Sequence, residues 1–273
     1  MTVLIVLAGL LISHMITAVG RWRNFDWLLW PIRALRQRFS SLSSLPMMLV
    51  LIIGALIPVV GIWGMTFLFG VGGWIVLALV AFVYTLGPRD LDRDVRLLLE
   101  REVAEDVSSV HEAAEAMQLR LGDSAEAAAA SVFHGALSRW FGVIFWFVVL
   151  GIPGAVLYRL NRMALQVTEL DADEVEWLAR MRIVLDWPVQ ALMMIAVGLC
   201  GDLDRVWRAW QELREEGSPW LITPIQLDRI AHAIVPSGAG FDEGLMAGHR
   251  MVWRMLVLWL VVMSVMLLAG VLA

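Results

Sequence analysis

The sequence contains no lysine, and its 21 basic residues are all arginine. A lysine is required for a Schiff base and for the GxxxxGK[ST] phosphate-binding loop, so both are excluded. The single cysteine, Cys200, excludes an internal disulfide and a CxxC metal or redox site. The formal net charge of −5 excludes a basic nucleic-acid-binding surface over the whole chain. We therefore expect no nucleic-acid partner, no metal site and no cofactor.

Apolar residues dominate what is present. They make up 60% of the chain, and the mean hydropathy is +0.74. Fourteen tryptophans against two tyrosines suit a protein whose amphipathic aromatic side chains lie at membrane interfaces. The composition predicts an all-α polytopic integral membrane protein with four or five membrane helices and additional amphipathic helices. Its first partner is therefore the lipid bilayer.

The most informative stretch is Trp140–Tyr158, which carries no charge over 19 residues. This length is close to what a helix needs to cross a bilayer, but Gly151-Ile152-Pro153-Gly154 interrupts it. Freed backbone groups are tolerated in lipid only where protein or water surrounds them. The stretch predicts one broken or re-entrant helix near Pro153. Its break is either a kink packed against neighbouring helices or a binding site.

The rest of the chain is predicted to form a single domain, residues 1–273, with five sections. These are N-terminal spans and a hairpin (1–86), a polar helical region (87–139), the broken helix with a short apolar helix (140–200), a second polar helical region (201–252) and a C-terminal span (253–273).

The N-terminal section begins with an apolar span, residues 2–19, that contains His14. The arginine-rich residues 20–45 have helical apolar spacing, and they predict either a helix on the cytoplasmic leaflet or an ordinary connector. Residues 46–69 and 74–86 then predict a membrane hairpin that turns between Gly70 and Gly73.

In the polar regions, apolar residues from Leu91 to Ala114 predict one amphipathic helix. Asp123 and Glu126 resemble a capping box. Asp186 before Pro188 favours a helix start with Asp186 as its cap, which would make 187–200 a separate short helix. Whether residues 187–200 cross the membrane is left open by the charges around them. Three histidines are predicted to be surface residues rather than ligands: His111, His232 and His249.

Three stretches, in this order, resemble AmpE-type proteins of the CobD/CbiB superfamily: GPRDLDRDVR (87–96), FGVIFWFVVLGIPGAVLYRL (141–160) and VLDWPVQAL (184–192). The enzymes of that superfamily, the adenosylcobinamide-phosphate synthases, carry a GYRNERY-like stretch after their YR and a polar stretch before the broken helix. Here the first is absent, and ASVFHGALSRWFG (130–142) replaces the second. The resemblance therefore implies a scaffold that has lost the synthase chemistry.

The resemblance and the polar residues around the broken helix together give the candidate residues. A ligand or partner site is expected among His134, Arg139, Pro153, Gly154, Tyr158, Arg159, Asn161 and Asp186. The polar motif contributes Arg89, Asp90 and Asp92. No catalytic residue can be assigned, because no nucleophile elbow, HExxH or metal-spaced carboxylate cluster is present.

Three functions follow as hypotheses. The resemblance implies an inner-membrane regulatory or sensory protein of Gram-negative bacteria, linked to β-lactamase induction and cell-wall recycling. Its candidate partners are a protein from that process and a small-molecule ligand. The second is an amide-forming enzyme of the cobalamin-biosynthesis type. The third is a transporter or channel for a cell-wall fragment, because broken helices line transport sites. The missing synthase residues favour a protein that is not an enzyme.

Overall fold

The fold is described by a computed structural model over residues 2–15, 45–86, 89–103, 106–165, 171–201 and 224–270, with 204, 207, 208 and 211. The described residues are helical and contain no strand, as predicted. The helices are α1 (Thr2–Met15), α2 (Leu45–Thr85), α3 (Leu91–Leu99), α4 (Val107–Ala116), α5 (Ala125–Ala136), a π-helical turn (Leu137–Phe141), α6 (Gly142–Ala164), α7 (Ala172–Cys200), α8 (Pro224–Ile234) and α9 (Phe241–Leu268). The predicted amphipathic helix of residues 20–45 falls almost entirely outside the described residues.

Four helical stretches in the described part of the chain are long and apolar enough to cross a membrane. They are Leu51–Thr85, Ala125–Ala164, Ala172–Cys200 and Phe241–Leu268. Many large apolar side chains on these helices are exposed, Phe67 at 85% and Leu268 at 87% among them. Lipid is the solvent that makes such exposure favourable, so the protein is a multi-pass membrane protein.

The chain divides into two compact units. The first contains Met1–Pro88, Gly142–Leu185 and Met266–Ala273, and the second contains Arg89–Phe141 and Asp186–Val265. The first is mostly apolar helix. The second holds most of the charged residues that pack against one another, and each unit is described by itself below.

In the first unit, α2 folds back on itself at Gly70. This residue has φ 61° and ψ −149°, a conformation open in practice only to glycine. A Cβ on Gly73 would lie 2.6 Å from the carbonyl oxygen of Met65, and one on Gly61 would lie 3.7 Å from Leu77. Each pair joins a residue before Gly70 to a residue after it. The predicted membrane hairpin is therefore present.

The same design recurs in α6 at Gly151, with φ 68° and ψ −152°. The ring of Tyr158 occupies the space that a Cβ on Gly142 would need. In a straight helix these two residues would be about 24 Å apart, at 1.5 Å per residue. The helix therefore reverses at Gly151, and Gly154 lets the second arm pass the Trp146 carbonyl. The predicted broken or re-entrant helix near Pro153 is confirmed, in its re-entrant form.

The two hairpins pack against each other through apolar side chains. Leu160 fills the space beside Gly54, and the rings of Phe82 and Phe147 lie 4.8 Å apart at 56°. Helix α1 completes this packing, because the absence of a side chain on Gly9 makes room for Phe82. Small residues at these contacts let the helices approach closely, as in other membrane bundles.

Helix α7 corrects one prediction. It runs without a break from Ala172 to Cys200, so Asp186 is neither a cap nor the start of a short helix. Asp186 is buried at 5% exposure in the middle of α7, two residues before Pro188. Membrane helices tolerate such an internal proline because neighbouring groups satisfy the freed backbone. The Asp-Trp-Pro pattern resembles a helix start because Asp is favoured as a cap and Pro at the first helical position, whereas here both lie inside one helix.

In the second unit, the amphipathic helix predicted from Leu91 to Ala114 is two helices, α3 and α4. Asp106 begins α4 by accepting hydrogen bonds from the backbone N–H groups of Ser108 and Ser109, at 3.1 and 3.4 Å. A side-chain acceptor at this position competes with a continuing helix, which is why the apolar spacing alone was misleading.

Helix α5 begins one residue later than the predicted capping box. Its N-cap is Ser124, whose hydroxyl accepts from the N–H of Ala127 at 3.2 Å. Asp123 instead accepts from the N–H of Arg120 at 2.8 Å and closes the preceding turn. Helix α9 packs directly on α5, because Gly244 and Gly248 leave no side chain between the two backbones.

Candidate functional site

The polar centre of the second unit is built around Asp94, whose side chain is 1% exposed. Arg139 donates to it at 2.6 Å through Nη1, and Arg89 lies 3.1 Å away through Nη2. Arg89 also donates to Glu112 at 3.0 Å. One buried carboxylate thus holds two guanidinium groups from separate parts of the chain, which makes Asp94 the anchor of this unit.

Asp92, two residues earlier, makes a second set of contacts. His249 Nε2 lies 2.6 Å from its Oδ1, and Trp253 Nε1 donates to the same oxygen at 2.9 Å. His249 and Trp253 are one turn apart on α9, so His249 Nε2 and Trp253 Nε1 lie on the same face of that helix. Asp90 is the N-cap of α3 and accepts from the N–H of Asp92 at 3.1 Å. We call Arg89, Asp92, Asp94, Arg139, His249 and Trp253 the acid–base network.

The π-helical turn Leu137–Phe141 places Arg139 in this network. A π-turn inserts an extra residue and re-aims the side chains around it, and it is frequent at functional sites. Arg139 also donates to the Ala116 carbonyl at 3.3 Å, while the neighbouring Trp140 contacts Trp253 edge to face at 5.7 Å. The turn therefore joins α5 to both α4 and α9.

Hydrogen bonds and ion pairs shift the pKa of three groups outside the apolar helices. Burial alone would lower the pKa of Arg89, but the hydrogen bonds and attraction from Asp94 and Glu112 outweigh it and raise that pKa. Arg101 bonds to Asp242 and to the Leu98 carbonyl, and the Asp242 hydrogen bond raises the pKa of Arg101. Hydrogen bonds from Ser108 and Ser109 lower the pKa of Asp106 to about 2.

A cavity of about 440 Å³ lies beside the network in the second unit. His134 on α5 and Asp228 on α8 both line it and are in contact, with His134 Nε2 2.8 Å from Asp228 Oδ1. Its other lining residues are Met117, Gln118, Leu119, Asp123, Ser124, Glu126, Ala127, Ala130, Ser131 and His232. Its size falls in the range of small-molecule sites, about 300–1,000 Å³.

One wall of the cavity is fixed by the turn that follows α4. Ser131 is 8% exposed and donates to the Met117 carbonyl at 2.5 Å. Gln118 has a φ of 55°, in the left-handed region that most side chains avoid. The residue before them, Ala116, is held by Arg139. A chain of contacts thus runs from the acid–base network through residues 116–118 to the cavity.

The predicted site residues fall in both units. His134, Arg139, Asp186, Arg89, Asp90 and Asp92 belong to the second unit, and Pro153, Gly154, Tyr158, Arg159 and Asn161 to the first. The structure brings Arg139, Arg89 and Asp92 into one network and places His134 at the cavity.

In the first unit, Tyr158 OH accepts from Arg162 at 2.9 Å, and Asn161 donates to the Leu178 carbonyl at 3.3 Å. Arg159 is buried at 8% exposure on the same arm of α6. Pro153 and Gly154 follow the reversal at Gly151 and shape it. Tyr158 thus packs between the two arms of α6 at Gly142, and Asn161 joins the second arm to α7.

Sequence reasoning missed four residues of these sites: Asp94, Asp228, His249 and Trp253. His249 was predicted to be a surface residue, yet it bonds to Asp92. His232 is exposed, as predicted, and lines the cavity. The spacing of His249 and Trp253 on one helical face was the available signal, but it does not identify Asp92 as their partner. That pairing joins residues more than 150 positions apart.

The described polar side chains of these sites form ion pairs and hydrogen bonds. Among the described residues, no group of three or more His, Cys, Asp or Glu side chains is arranged to hold a metal ion. Comparison with protein-family models, with curated proteins and with solved structures finds no match to this chain. The function therefore has to be argued from the sites themselves.

Proposed function

We propose that this chain is a regulatory membrane protein of the AmpE kind, which links cell-wall state to β-lactamase induction in the bacterial inner membrane and catalyses no reaction. The proposal rests on the contacts that the GPRDLDRD stretch (87–94) makes. Its carboxylates and arginine are bonded to residues of α3, α4, α9 and the π-turn. A motif that serves as an internal brace fits a scaffold better than a reaction centre.

The absence of the synthase stretches supports the same proposal. A transferase needs polar side chains that converge on its substrate and remain available to it. Arg139, a candidate for that role, is 9% exposed and bonded to Asp94. What the second unit offers instead is a cavity beside a charged network, which is the arrangement expected for sensing a ligand or a partner.

The test is inducible β-lactamase activity in a clean deletion strain, with and without a β-lactam inducer. We expect a changed response that the wild-type chain restores. Arg139→Gln should fail to restore it, since the substitution removes a charge that Asp94 requires. Arg180→Gln, on an exposed residue of α7, is the matched control and should complement fully. Membrane levels of each variant are compared by immunoblot. An unchanged response in the deletion strain overturns the proposal.

A transport role is the second candidate, and the two glycine-broken hairpins favour it. Paired interruptions of apolar helices often mark a substrate path. Against it, the contacts between the two hairpins are apolar and closely packed, as at Gly54 and Leu160. Uptake of a labelled muropeptide by proteoliposomes would establish transport, and its absence under a range of ion gradients would remove this candidate.

A further inference from the structure

From the chemistry of the cavity in the second unit, we infer that it is a binding site for a compact organic cation, an amine-bearing small molecule. The proposed function leaves the ligand of this cavity open. The evidence for an amine ligand is the cavity lining, which does not depend on that function.

The first step is charge. Three carboxylates line the cavity, those of Asp123, Glu126 and Asp228, together with two imidazoles. Among the described residues no arginine lines the cavity, although two arginines, Arg89 and Arg139, belong to the adjacent network. An acidic lining from which arginine is absent attracts a positive charge and disfavours an anion.

The second step is size and shape. The carboxylates and imidazoles do not converge closely enough to hold a bare metal ion in the described part of the chain. Their charge is instead spread around about 440 Å³, which suits a small organic cation with one or more ammonium groups. Charge-assisted hydrogen bonds to carboxylates are about twice as strong as neutral ones, so each ammonium would be held firmly.

The third step is the contrast between the rim and the floor. The side chains of His134 and Asp228 are 35% and 45% exposed, so they stand at the opening. Ser131, Ala130 and Met117 are 8%, 7% and 5% exposed and form an inner wall with one polar atom. This arrangement matches a ligand with a charged end near the opening and an aliphatic body within.

The experiment uses the full chain in lipid nanodiscs and three probes of equal length. These are 1,6-hexanediamine, which is cationic, 1,6-hexanediol, which is neutral, and adipate, which is anionic. Isothermal titration should show saturable binding of the diamine and none of the diol or adipate at the same concentration. Equal binding of the diol, or no binding of the diamine, overturns the inference.

Two cavity variants and one control variant test where the diamine binds. Glu126→Gln should weaken diamine binding about tenfold or more, because one charge-assisted hydrogen bond is worth at least the 1.4 kcal/mol that a tenfold change represents. Glu115→Gln, on an exposed residue of α4 outside the cavity, should leave it unchanged. Ala127→Phe fills the cavity from an exposed position and should abolish binding without unfolding the protein. Unaltered binding in both cavity variants overturns the inference.

Diamine binding and β-lactamase induction together distinguish failure of the binding site from failure of the proposed function. Diamine binding together with a deletion strain that induces β-lactamase normally would remove the proposed function and leave the site. A clear induction phenotype without diamine binding would remove the site and leave the proposed function.

Discussion

Asp94 illustrates how one residue can set the stability of a unit. It is the most deeply buried of the charged side chains in its network, and Arg139 and Arg89 share its single negative charge. A buried ion pair adds little net stability over an apolar substitute. Removing only one partner is different, because the charge that remains is left buried and uncompensated.

We therefore predict that Asp94→Asn lowers the free energy of unfolding by about 3–5 kcal/mol. Unfolding in detergent, followed by circular dichroism, measures it. Asp173→Asn is the control, since Asp173 is exposed in the first turn of α7 and its loss should cost well under 1 kcal/mol. A double variant, Asp94→Leu with Arg139→Leu, should lose less than the sum of the single changes. Additive losses would contradict the assignment of a coupled pair.

Asp106 gives a prediction for pH. Hydrogen bonds from Ser108 and Ser109 hold its pKa at about 2, below the ordinary value of 3.8. A lowered pKa in the folded state means that the contribution of this cap is complete above the unfolded value and is lost as pH falls through about 2. The cap of α4 should therefore persist at pH 4.

Carbon-13 NMR of the Asp106 carboxyl group measures this titration. In a variant with Ser108→Ala and Ser109→Ala, the pKa should rise toward 3.8, because the two hydroxyl donors are removed. A midpoint near 3.8 in the wild-type protein would show that the serine contacts do not form in solution.

At the scale of elements, the recurrent device is the glycine-broken hairpin. Gly70 and Gly151 adopt nearly the same backbone conformation, and each is followed three residues later by a glycine that lets the second arm pass the first. The sequence similarity between GVGG and GIPG is slight. The backbone reveals a repeated unit because φ and ψ, rather than side chains, define it.

We predict that Gly151→Ala destabilises the protein by about 1–3 kcal/mol, the cost of holding a non-glycine residue in this region. Gly64→Ala is the control, since Gly64 is helical and no atom lies within 4 Å of the added carbon. It should be neutral or should stabilise by about 0.5–1 kcal/mol through helix propensity. Thermal unfolding in the same detergent compares the two, and equal effects would argue against a reversal at Gly151.

These elements also show what the sequence can predict. The break at Gly151–Gly154 was visible because glycine and proline interrupt a long apolar run, and the first hairpin was visible for the same reason. Helix ends that depend on side-chain hydrogen bonds were less visible: Asp106 divides one predicted helix, and Asp186 resembles a cap while lying inside α7. The cavity could not be predicted, because His134 and Asp228 are 94 residues apart and only the packing of α8 on α5 joins them.

At the scale of the whole molecule, the hairpins decide how the chain passes through the bilayer. The charge-free part of the arm before Gly151, from Trp140 to Leu150, is 11 residues or about 16 Å, against about 30 Å of hydrocarbon. The second arm then returns toward Arg159 and Arg162. In the sequence this stretch looks like a single crossing, but the reversal at Gly151 brings its two ends back together.

We predict that Ser138→Cys and Met163→Cys, each in a Cys200→Ser background, react with a membrane-impermeant maleimide added to the same side. Ser138 lies just before the first arm of α6, and Met163 lies near the end of the second arm. Intact spheroplasts and inverted vesicles expose opposite faces, and the labelling pattern of the two cysteines should match in both. Opposite patterns would mean that α6 crosses the membrane and that the reversal does not form.

The short arms of α6 also constrain how the protein is made. A membrane insertion apparatus that releases helices singly into lipid favours segments of about 20 apolar residues, and each arm of α6 falls below that length. We therefore expect the two arms of α6 to enter the membrane as a pair, and the apolar partner they pack on, α2, is synthesised earlier. The order of the chain would thus let the first hairpin form before the second packs on it.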